Sequence, residues 1–142
     1  MARVLVIDDE PDVLLLCRVN LEHAGHEVFE ALDAERGLQL AHAEKPDAIV
    51  LDLMLPRRDG FDVLRELEAA QDLCAVPVLI LSAKAKWEDR VRGWQAGASE
   101  YVTKPFSPAA LTEMLESLTL MSVEDRQAHR TEALRTLLHE RI

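Results

Sequence analysis

Four short apolar runs each end in a residue able to do chemistry. Val4-Leu5-Val6-Ile7 runs into Asp8-Asp9-Glu10, Ala48-Ile49-Val50-Leu51 into Asp52, Val78-Leu79-Ile80-Leu81 into Ser82, and Tyr101-Val102-Thr103 into Lys104. If these runs are parallel strands of one sheet, their carboxyl ends bring Asp8, Asp9, Asp52, Ser82 and Lys104 to a single edge. Three carboxylates so placed repel one another, so one must take up a proton unless a cation intervenes. A hard divalent ion with oxygen ligands suits them, and one or two carboxylates plus water suit Mg2+. A strand-end carboxylate beside Mg2+ and a lysine can accept a phosphoryl group, because the two cations offset charge on the equatorial oxygens during in-line transfer. A hydroxyl at Ser82 can then donate to a phosphoryl oxygen. Taken singly, each residue has a plainer role. Asp8 or Asp9 can cap a helix, Asp52 can be a solvated strand end, and Lys104 a surface lysine. Ser82 can be a turn residue and Tyr101 a core aromatic. Their conjunction at one edge favours the site.

The elements needed to position these groups are legible. The runs are apolar on both faces, as buried parallel strands are. After the first, Val13, Leu16, Cys17, Leu21 and Ala24 recur at helical spacing, and Gly25 supplies a stop. Residues His26 to Ala31 read as a second strand, and Asp33 caps a second helix reaching about Glu44. A third helix is predicted from Phe61 to Ala70 and a fourth from Trp87 to Ala96, stopped by Gly97. A fifth opens at Ser107-Pro108, with a stripe of Leu111, Met114, Leu115 and Leu118. Alternation of five strands and five helices predicts an α/β fold with helices on both faces of a parallel sheet. Such sheets bind ligands beyond the carboxyl ends of their strands. Trp87, Val91 and Trp94 share one helical face; Val91 and Trp94 are expected in the core, and Trp87, nearer the Ser82 loop, partly exposed.

Composition limits the classes of function. The chain has 142 residues, 49% of them hydrophobic and only 4% aromatic, which allows one domain with an aliphatic core. Against 26 Asp plus Glu stand 16 Lys plus Arg, a net charge of −10. So acidic a surface repels nucleic-acid phosphates and anionic headgroups, so neither direct nucleic-acid nor membrane binding is expected. Cys17 and Cys74 show no metal-binding or disulfide spacing. No apolar run is long enough to span a bilayer and no secretory signal is visible, so a cytoplasmic location is expected. The five histidines, His23, His26, His42, His129 and His139, show no ligand grouping and are expected at the surface.

The motifs together resemble the response-regulator receiver domain of bacterial two-component signalling, of the chemotaxis-receiver kind. The residues carrying the resemblance are Val4 to Glu10, Leu51-Asp52-Leu53-Met54-Leu55-Pro56 with Asp59-Gly60, Leu81-Ser82-Ala83, and Tyr101 to Phe106, in the family's order. The resemblance covers roughly residues 2–121. It implies a flavodoxin-like sheet of order 2-1-3-4-5. It implies that Asp52 is the phosphoacceptor and that Asp8, Asp9, Asp52 and the backbone carbonyl of Met54 hold Mg2+. Lys104 would pair with the phosphoryl group, Ser82 and Tyr101 would form the switch, and the Lys104–Pro105 bond would be cis. The implied partner is a sensor histidine kinase or a histidine phosphotransfer protein. The implied output is the face made by the fourth helix, fifth strand and fifth helix, and the protein would be a switch, not an enzyme.

Residues 1–121 are therefore expected to form the receiver domain and residues 122–142 a helical tail or the start of a linker helix. Ser122, with Asp125 three residues later, resembles a capping box. The tail balances four acids with four arginines, and only Leu134, Leu137, Leu138 and Ile142 give it an apolar edge. An isolated helix of this length is marginal, so it needs a partner, either the domain itself or a second tail in a homodimer; a homodimer through the face of the fourth helix, fifth strand and fifth helix is the alternative. A standalone receiver and a fragment of a longer regulator with an output domain both remain open. A phosphohydrolase using Asp52 as nucleophile is disfavoured, because the second Asp such enzymes place two residues later is Met54 here. A dinucleotide module is disfavoured because no glycine-rich loop follows the first strand.

Overall fold

A computed structural model describes residues 1–140. The elements run β1 (Arg3–Ile7), α1 (Pro11–His23), β2 (Glu27–Ala31), α2 (Ala34–Glu44), β3 (Ala48–Leu51), α3 (Gly60–Ala69), β4 (Val78–Ser82), α4 (Trp87–Gln95), β5 (Glu100–Thr103), α5 (Pro108–Leu120) and α6 (Val123–His139). The five strands are parallel, in the order β2-β1-β3-β4-β5, so the fold is a flavodoxin-like α/β sheet with a C-terminal helix.

Two layers of core explain why the strands are apolar on both faces. Leu5, Ile7, Ile49, Leu51 and Ile80 pack with Leu38 of α2 and with Phe61, Leu64 and Leu67 of α3. The alternate residues Val4, Val6, Val50, Leu79 and Leu81 pack with Leu14, Cys17 and Leu21 of α1 and with Leu111, Leu115 and Leu118 of α5. Strand side chains alternate between faces, so one strand serves both layers. Burial pushes the Cys17 thiol up to about 12, which keeps it protonated and inert.

The helix starts are set by side-chain caps. Asp33 accepts from the Arg36 N–H, Asp59 from the Phe61 N–H, Ser107 from the Ala110 N–H and Ser122 from the Asp125 N–H. Each such cap contributes about 1 kcal/mol by satisfying a backbone donor. The Asp59 cap starts α3 at Gly60, one residue before the sequence pattern does.

Two expectations need correction. Leu16 is 47% exposed, and Leu14 takes the buried place on α1. The run Leu14-Leu15-Leu16 is apolar throughout, so periodicity alone does not fix the phase of that helix. The His26 side chain is buried rather than superficial, and its Nδ1 accepts from the Ala2 N–H at 3.0 Å. Val91 and Trp94 are buried as expected, but in a small cluster completed by Leu137 of α6, with Trp87, Tyr101, Ala133 and Leu134 around it. The tail helix thus lies on α4 and β5. Ile142, part of the expected apolar edge, lies outside the described residues.

Candidate functional site

The register of the sheet brings the acidic residues together. Ile7 pairs with Leu51, so Asp8 and Asp52 leave adjacent strands side by side. Backbone bonds fix both: the Asp8 N–H donates to the Ala31 carbonyl at 3.0 Å and the Asp52 N–H to the Ile7 carbonyl at 2.9 Å. The strand order reverses between β1 and β3, which is where such a sheet opens a crevice. Ser82 pairs with Thr103, and its carbonyl accepts from the Lys104 N–H at 2.9 Å, so β5 delivers Lys104 to the same edge. The Lys104–Pro105 bond is cis.

Among the described residues the polar ones buried as whole residues are Asp8, Asp52, Ser82, Ser99 and Thr112, and the first three lie on this edge. Lys104 sits in their midst. Its ammonium donates to Asp52 Oδ2 at 2.9 Å and to Glu10 Oε1 at 3.4 Å. The other Asp52 oxygen, Oδ1, accepts from the Met54 N–H at 2.9 Å. Asp8 Oδ1 accepts from the Glu10 N–H at 2.9 Å. Asp8 Oδ2 forms an ion pair with the Lys104 ammonium at 2.9 Å but is not aligned for a hydrogen bond with it.

The charges are unevenly served. Burial pushes Asp8 up to about 6, against the opposing pull of the Glu10 N–H and Lys104, and the Asp52 charge pushes the same way as burial. For Lys104, burial alone would lower the ammonium, but the close carboxylates of Asp8 and Asp52 outweigh it and hold it above its ordinary value. One lysine therefore faces several acids. Asp8, Asp9, Glu10 and Asp52 each offer an oxygen, all within 4.8 Å of one another. A buried, unaligned carboxylate oxygen within an all-oxygen donor set fits a hard divalent cation.

Glu10 belongs to this cluster, although the sequence marks it only as part of the acidic run after β1 and assigns it no ligand role. Its signal was its place directly after two acids at a strand end. Met54 is present through its backbone N–H, and its side chain is 52% exposed. Ser82 Oγ accepts from the Lys84 N–H at 3.3 Å, which ties it to the β4–α4 loop. Tyr101 is half-buried on β5 and donates from its hydroxyl to the Lys84 carbonyl at 2.6 Å. Gly60 supports the site from behind: a Cβ there would lie 2.3 Å from the Leu53 Cα, so only glycine lets α3 start against the backbone that follows Asp52.

Comparison with known proteins gives the family. The family model for the response regulator receiver domain matches residues 4–116. The chain belongs to the response regulator receiver family. This receiver is 42% identical over 116 residues to the alkaline phosphatase synthesis transcriptional regulatory protein PhoP of Bacillus subtilis, covering 82% of this chain and 48% of that protein. It is 35% identical over 118 residues to protein PilH of Pseudomonas aeruginosa, covering 83% of this chain and 98% of that one. Among solved structures it resembles the chemotaxis response regulator CheY4 of Vibrio cholerae, with TM-score 0.78, 29% identity, and 83% and 98% of the two chains covered. The receiver spans about half the length of most of the curated relatives it matches, transcriptional regulators among them. The family match ends before α6 begins. No helix among the described residues is long and apolar enough to cross a membrane.

Proposed function

We propose that this receiver is a phosphorylation-activated switch in which Asp52 accepts a phosphoryl group from a phosphohistidine on a sensor kinase or histidine phosphotransfer protein. The observation that carries this reading is Asp52 itself. It is 2% exposed, held between the Met54 N–H and the Lys104 ammonium, in a cluster of carboxylates. A buried carboxylate fixed by two donors keeps one oriented oxygen for attack. An Asp52 oxygen forms the new O–P bond while the N–P bond of the donor breaks, and the leaving imidazole takes up a proton. Lys104 would turn from Asp52 towards the incoming phosphoryl oxygens and offset their charge. The Ser82 hydroxyl would donate to one of them after transfer.

Asp8, Asp9, Asp52 and the Met54 backbone carbonyl would hold Mg2+, with Glu10 as a further carboxylate. Mg2+ bound there supplies positive charge to the phosphoryl oxygens during transfer. Residues 1–121 would be the unit that performs this reaction, with 122–142 as a helix appended to it. Two features favour a protein partner over a small substrate. Asp9 and Glu10 at the rim of the site are exposed, and α1, which begins beside Glu10, exposes Leu15, Leu16 and Val19 to solvent. Nothing in the role calls for catalytic turnover of a substrate, and we read the chain as a cytoplasmic switch, not an enzyme.

The test is incubation with acetyl phosphate and Mg2+ followed by intact-mass measurement. The account expects one added phosphoryl group, lost in Asp52→Asn and on chelation of Mg2+. An unmodified parent protein, or an Asp52→Asn variant that still gains the group, would overturn it.

A further inference from the structure

The helix beyond the family match is attached to the domain at several points. At its start, the Arg126 guanidinium donates to the Ala75 and Met121 carbonyls. In its middle, His129 meets Glu100 of β5, Nε2 to Oε2 at 3.0 Å, and stands edge-on to the Trp94 ring at 5.7 Å. At its end, the Trp87 indole N–H donates to the Leu137 carbonyl at 2.6 Å, and Arg90 lies 3.7 Å from Glu140. Leu137 is 6% exposed, between Val91 and Trp94. This helix carries few other apolar residues, so its order depends on the α4–β5 surface beneath it.

That surface is wired to the phosphorylation site. The Tyr101 ring is part of the cluster under α6 and rests on Gly93, where a Cβ would lie 2.8 Å from the ring carbons. Its hydroxyl is held by the Lys84 carbonyl, and the Lys84 N–H is in turn held by Ser82 Oγ. If Ser82 Oγ turns to a phosphoryl group, the Lys84 N–H loses its acceptor, and the Lys84 carbonyl that holds the Tyr101 hydroxyl is free to shift. The ring cannot move deeper towards α4 without meeting Gly93 and Ile80. Its movement therefore changes the surface on which Leu137 and His129 sit.

We infer that α6 is a built-in cover over the α4–β5 face, docked while Asp52 is unmodified and released when Asp52 carries a phosphoryl group. The inference rests on the proposed function and adds to it a second element that reads the site. Because coupling between two sites is reciprocal, releasing α6 must also favour modification. A partner helix that uses this face must displace α6 first.

Hydrogen exchange on the full chain tests this, with intact mass measured on the same samples. In the unmodified protein the amides of α6 should be protected. With acetyl phosphate and Mg2+, and an adduct confirmed by mass, they should exchange faster by roughly tenfold or more, while those of α5 do not change. A confirmed adduct with unchanged α6 protection would overturn the cover but leave the phosphoacceptor reading standing. Absence of an adduct would overturn both. Leu137→Asp should expose α6 in the absence of phosphate and tighten binding of a phosphate mimic with Mg2+ several-fold. Trp87→Phe, which removes the indole donor and trims the ring, should do the same more weakly and guards against misfolding of the first variant. Released α6 with an unchanged affinity for the phosphate mimic in both variants would also refute the coupling.

Discussion

Removing the Asp8 charge should stabilise the metal-free protein. Asp8 is 1% exposed, its Oδ2 has no aligned donor, and burial raises it from an ordinary 3.8 to about 6. A tenfold change in proton affinity corresponds to about 1.4 kcal/mol, so ionising Asp8 in the folded state at pH 7 costs up to about 3 kcal/mol. The substitution Asp8→Asn removes that cost but also takes one acid from Lys104, which keeps Asp52 at 2.9 Å and Glu10 at 3.4 Å. The net gain should be about 1–2 kcal/mol, or about 3–8 °C in Tm. The sign with pH follows from linkage. Because the folded value is raised, the unfolded chain binds fewer protons between pH 3.8 and about 6, so the parent loses stability as pH rises through that window. The advantage of Asp8→Asn should therefore be full at pH 7, fall to about half near pH 5 and vanish below pH 4. Thermal unfolding in EDTA measures it directly. Added Mg2+ should then raise the Tm of the parent more than that of the variant, and chelation should reverse the rise. A variant less stable than the parent at pH 7, or an advantage independent of pH, would refute the view that Asp8 is held at a cost for a cation.

Further outcomes follow from single residues. Gly60→Ala should destabilise by about 1–3 kcal/mol in urea unfolding, because the new Cβ meets the Leu53 backbone rather than a movable side chain, and should slow adduct formation at Asp52. Glu68, which faces Arg126 and Arg130 of α6, is raised by burial to about 7 against their pull, so the parent should lose stability between pH 4.5 and 7. Glu68→Gln should flatten that slope in Tm against pH; an unchanged slope would exclude Glu68 as its source. Trp87 emission should change on adding a phosphate mimic with Mg2+, as its indole leaves the Leu137 carbonyl, and a Trp94→Phe background isolates the signal.

The sheet, its helices and the strand-end site were legible because each rests on local pattern. Four-residue apolar runs ending in Asp, Ser or Lys mark buried strands and their carboxyl ends at once. What the sequence left open depends on contacts between distant segments. Leu14 and Leu16 are equivalent by composition, and only the packing of α1 against α5 decides between them. His26 is buried where Ala2, just before β1, donates its N–H to the ring. The place of α6 was undetermined for the same reason: its apolar edge is short, and Trp87, Trp94 and Glu100 select the docked face only once α4 and β5 are assembled. Glu10 was hidden by proximity, since a third acid after Asp8 and Asp9 looks like a helix-start charge.

The central claim is that one aspartate stores the phosphoryl group, and chemical trapping tests it at the atom concerned. Borohydride reduces an aspartyl phosphate to homoserine, so the modified protein, reduced and mapped by peptide mass spectrometry, should carry homoserine at position 52 and nowhere else. Homoserine at position 8 or 9, or an unaltered residue 52 in a protein that has gained phosphate, would contradict the account.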